Sequence, residues 1–69
     1  MEFYRIVKAS RTELGMSQED LARVLKVSFA TINRWENNKT HPNNLTQGVF
    51  FDFCRQQGID VDKLKDGEE

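Results

Sequence analysis

Met16-Ser17-Gln18-Glu19-Asp20-Leu21-Ala22-Arg23-Val24-Leu25-Lys26-Val27-Ser28-Phe29-Ala30-Thr31-Ile32-Asn33-Arg34-Trp35-Glu36-Asn37-Asn38-Lys39-Thr40 is laid out as two short helices joined by a tight turn. Ser17 is placed to cap the first helix, with Asp20 at capping-box spacing, and Leu21, Ala22 and Leu25 then recur at helical period. Lys26-Val27 carries the chain out, and Ser28 caps the second helix. Ala22 suits a close, steep helix crossing, where a larger side chain would push the two helices apart. The whole unit is a helix-turn-helix.

At the α-helical rotation of about 100° per residue, Phe29, Ala30, Asn33, Arg34 and Asn37 share one arc of the second helix. Ile32 and Trp35 lie opposite and are placed to pack inward, with Val27 anchoring the turn. The outward arc is polar or small in most of its positions. An α-helix with such a face fits the major groove of DNA, where base edges offer donors and acceptors.

The segment resembles the Cro and lambda-repressor family of phage and bacterial regulators, also called the XRE family. The resemblance rests on Leu14-Gly15-Met16-Ser17-Gln18-Glu19-Asp20-Leu21-Ala22, on Val27-Ser28 and Ile32, and on Trp35-Glu36-Asn37-Asn38-Lys39. It extends through the flanking segments to nearly the whole chain. Two positions depart from it, since the family commonly has Gly where Lys26 and Asn38 stand. Asn tolerates the left-handed conformation at little cost. Lys26 predicts a turn that is strained, or one that is less left-handed than usual.

Composition bounds the remainder. A chain of 69 residues makes one small domain, close to the lower size at which a core suffices without staples. Cys54 has no partner, and one His with one Cys is too few for a structural zinc site. Expected core residues are Ile6, Val7, Leu14, Leu21, Leu25, Ile32, Trp35, Leu45, Val49 and Phe53. No apolar run is long enough for a signal peptide or a membrane span, so a cytoplasmic protein is expected. The net charge of −1 argues against a nucleic-acid binder at first sight. Its distribution does not: residues 1–43 carry seven Lys and Arg against five acids, while residues 44–69 carry three against six.

The periodicity predicts an all-α bundle of four to five short helices, lambda-repressor-like, in one domain over residues 1–66 with a frayed tail at 67–69. Helix one spans Phe3 to Leu14, with Gly15 as its left-handed terminator. The motif occupies residues 17–37 and the recognition helix 28–37. A polar loop follows to Asn43, in which Pro42 blocks helix continuation. Helix four runs from Asn44 to Gln57 with Gly58 at its end, and a short fifth helix is capped by Asp60. No alternating strand pattern occurs.

Candidate base-contacting residues are Phe29, Ala30, Asn33 and Arg34. Arg34 suits bidentate donation to guanine, and Phe29 and Ala30 suit contact with a thymine methyl. Phe29 equally suits packing against helix two, Asn33 suits a base or a phosphate, and a plain solvated role competes at Arg34. Candidate phosphate contacts are Ser17, Gln18, Ser28, Asn37, Asn38, Lys39 and Thr40, since helix N-termini and polar loops position such modules without reading sequence. His41 ranks last. By resemblance, Gln18 also braces the recognition helix, and Arg11 pairs with Glu36 to fix helix one against helix three.

Helix four has more apolar residues than one stripe needs. Leu45, Val49 and Phe53 are assigned to the core face, and Phe50, Phe51 and Cys54 to a candidate dimer surface or, alternatively, to core covered by Ile59, Val61, Leu64 and helix one. No nucleophile–base constellation, phosphate-cradling glycine loop or metal cluster is present, so neither an enzyme nor a cofactor is expected. Expected partners are double-stranded DNA and a second copy of the chain, with no membrane and no small-molecule ligand. The function expected is transcriptional regulation of the repressor type. A protein-interaction module on the same fold, or the DNA-targeting part of a restriction or toxin–antitoxin system, would share these features.

Overall fold

A computed structural model describes residues 2–66; the tail expected at 67–69 lies outside the described residues. Five helices follow in order: α1 (Phe3–Glu13), α2 (Gln18–Leu25), α3 (Phe29–Glu36), α4 (Asn44–Gln56) and α5 (Val61–Asp66). The described residues contain no strand. None of the helices is long and apolar enough to cross a membrane.

The helix starts follow from short polar side chains. Ser17 Oγ accepts the Asp20 amide at 3.0 Å, and the Asp20 carboxylate accepts the Ser17 amide at 3.1 Å, completing a capping box. Ser28, Asn43 and Asp60 each accept an amide three residues on, from Thr31, Thr46 and Lys63. Each bond satisfies a donor that the first helical turn leaves without a partner.

The helix ends share one device. Gly15, Lys26, Asn38 and Gly58 have φ of 68°, 61°, 59° and 86°. In each case the amide after the left-handed residue returns to the last turn: Met16 to Arg11, Val27 to Ala22, Lys39 to Arg34 and Ile59 to Cys54, all within 3.0 Å. This double closure satisfies carbonyls that would otherwise be stranded. Lys26, with φ 61° and ψ 41°, sits fully in the left-handed region. The turn is fully left-handed, and a side chain bears its steric cost.

Around α3 the chain builds its core. Ile32 and Trp35 are buried against Ile6 and Val7 of α1 and Leu21 and Ala22 of α2, while Ile59 and Val61 close the far side. Phe3 is the aromatic hinge: its ring meets Trp35, Phe50 and Phe51 edge-on, with centroids 5.8, 5.6 and 6.0 Å apart. Such geometry sets the positive ring edge against a negative face. Lys65 lies over the outer side of Phe51, its Nζ 4.8 Å from the ring centroid.

The orientation of α4 corrects the sequence reading. Of the two readings of Phe50, Phe51 and Cys54, dimer surface or core, the structure has the second: all three are buried, whereas Leu45 and Val49, expected as core, are 79% and 51% exposed. Phe53 is half-buried at the edge. Helix four offers two apolar stripes, and the one with two adjacent aromatic rings removes more surface from water than Leu45 with Val49. That choice leaves Cys54 inside, where burial pushes the thiol above its ordinary pKa.

Because Lys26 holds a left-handed conformation that a Cβ disfavours, Lys26→Gly is expected to raise stability by about 1 kcal/mol. In a domain of this size that corresponds to roughly 4–8 °C in Tm. Lys26→Val is expected to lower it. Thermal melts followed by circular dichroism check both directions.

Candidate nucleic-acid interface

α3, expected as the recognition helix, has only eight residues, two of which, Ile32 and Trp35, are buried. The other side carries Phe29, Ala30 and Arg34 exposed and Asn33 half-buried, with Asn37 exposed at its end. Phe29 is 49% exposed, so packing against α2 covers at most part of its ring. Ser17 and Gln18 stand at the start of α2, and Ser28 at the start of α3. Asn38, Lys39 and Thr40 continue exposed beyond α3, as does His41. The structure thus brings the sequence-selected residues to the outer arc of α3 and to the two helix ends that flank it.

What holds this face in place is a carboxylate. Glu36 sits at the edge of the buried side of α3, its side chain 5% exposed, opposite Arg11 of α1, whose side chain is 17% exposed. Arg11 Nε donates to Oε2 at 2.7 Å and Nη2 to Oε1 at 3.0 Å, a two-pronged contact. Nη1 of Arg11 donates to the Met16 carbonyl at 3.0 Å, tying the same guanidinium to the link between α1 and α2. Gln18 Nε2 donates to Glu36 Oε1 at 3.0 Å. Three helices therefore meet on one side chain.

Sequence reading missed what continues from Gln18. Its Oε1 accepts from Asn33 Nδ2 at 3.2 Å, and Asn37 Nδ2 donates to both Asn33 Oδ1 and the Asn33 carbonyl at 2.9 Å. A row of amides thus runs from the buried ion pair to the exposed end of α3. The available signal was the i, i+4 spacing of Asn33 and Asn37, which makes amide side chains neighbours on one helix face.

The first amides of the loop after α3 are not open to an anion. The amides of Asn37, Asn38 and Lys39 all return to carbonyls of α3. Those three amides are thereby spent within the helix end, and Lys39 is the one Lys or Arg of residues 37–43.

The electrostatics of Glu36 set two effects against each other. Burial pushes its carboxyl pKa up, but hydrogen bonds from Arg11 and Gln18, with the charges of Arg11 and Lys8, outweigh burial and hold it below its ordinary range. Arg11 is correspondingly raised, chiefly by its hydrogen bond to Glu36.

Comparison with known proteins bears on what this face is for. A family model described as helix-turn-helix matches residues 7–46, more than half of the chain. The chain belongs to the XRE-type helix-turn-helix family. Across all 69 residues this helix-turn-helix domain is 35% identical to the HTH-type transcriptional activator BcrR of Enterococcus faecalis. The match covers the whole chain but 32% of BcrR, so the domain spans about a third of that relative's length. No solved structure matches the chain significantly.

Truncating one partner of the ion pair leaves the other mostly buried and unpaired. Arg11→Met and Glu36→Leu are each expected to cost about 2–4 kcal/mol, and the double variant to recover part of that loss. Glu36 has its pKa lowered by folding, so its share of stability is complete above the unfolded-state value, about 4.3, and is lost as pH falls through the lower folded-state value. The coupling measured by urea unfolding of the four proteins should hold from pH 7 to about pH 5 and shrink below about pH 4. Additive effects at pH 7 would show that the pair contributes nothing as a pair.

Proposed function

We propose that this domain is the DNA-binding module of a transcriptional regulator, reading double-stranded DNA with the outer arc of α3 in the major groove. The observation that carries this reading is the exposed arc of Ala30, Asn33, Arg34 and Asn37 on a helix whose other side is locked to α1 and α2. The position of Ser17 and Gln18 at the N-terminus of α2 supports a phosphate contact there, since helix N-termini carry partial positive charge. Lys39 and Thr40 support a second one beyond α3. Phosphate contacts of this kind set register, while base contacts confer specificity.

Charge supports the reading only weakly. The net charge of −1 leaves no broad positive field to concentrate nonspecific DNA. Affinity then rests on shape and on a small number of placed donors, and a single module of this kind buries only about 600–1,000 Å² on DNA. Repression and activation would use the same face. The related BcrR is an activator by name, whereas the resemblance to Cro and lambda repressor points to a repressor.

Arg34→Ala is expected to cost about 1–3 kcal/mol on the preferred site and to relax selection at one base pair. Lys39→Ala should instead weaken all duplexes alike and reduce the slope of log affinity against log salt by about one. Fluorescence anisotropy over a salt series, after selection of the preferred site from a random duplex library, separates the two. A folded wild type that selects no duplex would favour a protein-interaction module on the same fold.

A further inference from the structure

Along its outer arc α3 changes chemistry from one turn to the next. Asn33, Arg34 and Asn37 carry hydrogen-bonding groups, but the exposed side chains of the first turn are Phe29 and Ala30, which have none. The two hydroxyls of that turn face each other: Ser28 Oγ and Thr31 Oγ1 lie 2.8 Å apart, and Ser28 Oγ also accepts the Thr31 amide at 3.1 Å. Among the described residues, the exposed large apolar side chains are Val24 of α2, Leu45 and Val49 of α4, and Phe29 alone on α3. The rings of Trp35, Phe50 and Phe51 are buried, whereas Phe29 keeps 49% of its surface in water.

We propose that the first turn of α3 reads the C5-methyl group of a pyrimidine, and that it therefore accepts 5-methylcytosine where it accepts thymine. The inference rests on the DNA-binding reading above. A side chain without donors or acceptors cannot tell a base carbonyl from a base amine, and the apolar feature it can complement in the major groove is the methyl of thymine. 5-Methylcytosine carries the same methyl on the same ring carbon. It differs from thymine at the neighbouring carbon, an amine in place of an oxygen, where Phe29 and Ala30 bring no polar atom. The Phe29 ring supplies the apolar surface, and the small Ala30 lets a base edge come close. Covering one methyl is worth about fourfold in affinity. Asn33 and Arg34 are left to read base identity by hydrogen bonds, so methylation state and base identity fall to different turns of one helix.

The test starts from the duplex that wild type selects from a random library. Each thymine of that duplex is replaced in turn by deoxyuridine, which removes only the methyl, and affinities are compared by fluorescence anisotropy. At least one thymine should lose about fourfold on this change. With a cytosine–guanine pair at that position, methylating the cytosine at C5 should raise affinity by about fourfold. Phe29→Ser should shrink both effects to less than about twofold while keeping the Arg34 preference. A selected duplex in which no thymine methyl matters, or in which cytosine methylation brings no gain, overturns the proposal and leaves the DNA reading standing. Full methyl discrimination by a folded Phe29→Ser overturns it equally. The deoxyuridine and 5-methylcytosine duplexes are read with the unaltered domain, so they decide the matter even where the variant does not fold. A wild type that selects no duplex overturns the DNA reading and the methyl reading with it.

Discussion

The rest of this domain depends on a charge that is almost out of water. Glu36 is 5% exposed, and its carboxylate is tolerated because Arg11 and Gln18 supply three donors from two other helices. Desolvating both ions costs several kcal/mol before their attraction is counted, so the pair is a weak source of net stability. Its value is geometric. A buried carboxylate accepts few arrangements, and this one fixes α1, the start of α2 and the end of α3 at once, which apolar contacts do less specifically.

That rigidity matters more here than in a strongly basic binder. With little net charge to draw in DNA, the domain has to present its few donors already in place, because ordering flexible side chains on binding costs about 0.5–1.5 kcal/mol each. The helix closures serve the same end. α3 is bounded by left-handed residues on both sides, Lys26 before it and Asn38 after it, and each closes its helix with a pair of returning amides. At Lys26 the chain carries a cation where a Gly would relieve strain. Stability is given up at that turn and a positive charge is retained between α2 and α3.

Much of this was legible in the sequence for physical reasons. Ser17 with Asp20, Ser28, Asp60 and Gly15 announce helix ends because few residue types can satisfy those backbone groups, and the periodicity of Leu21, Ile32 and Trp35 places the inner face of the motif. The orientation of α4 was not legible. Leu45 with Val49 and Phe50 with Phe51 are both credible stripes, and the choice between them depends on Phe3, a residue some forty-seven positions away. The handedness at Lys26 was obscured likewise, since propensity argues against what the returning Val27 amide imposes. The row of amides from Gln18 to Asn37 crosses two helices, and no local pattern encodes its direction.

The central claim is that α3 and the start of α2 form one rigid DNA-binding face held by Glu36. Chemical-shift mapping of the ¹⁵N-labelled domain with a selected duplex tests it most directly. The account predicts perturbations concentrated at Ser17, Gln18, Ala30, Asn33, Arg34 and Lys39, with α5 and the exposed Leu45–Val49 side of α4 unaffected. Perturbations centred on Leu45 and Val49, with the α3 arc silent, would contradict it.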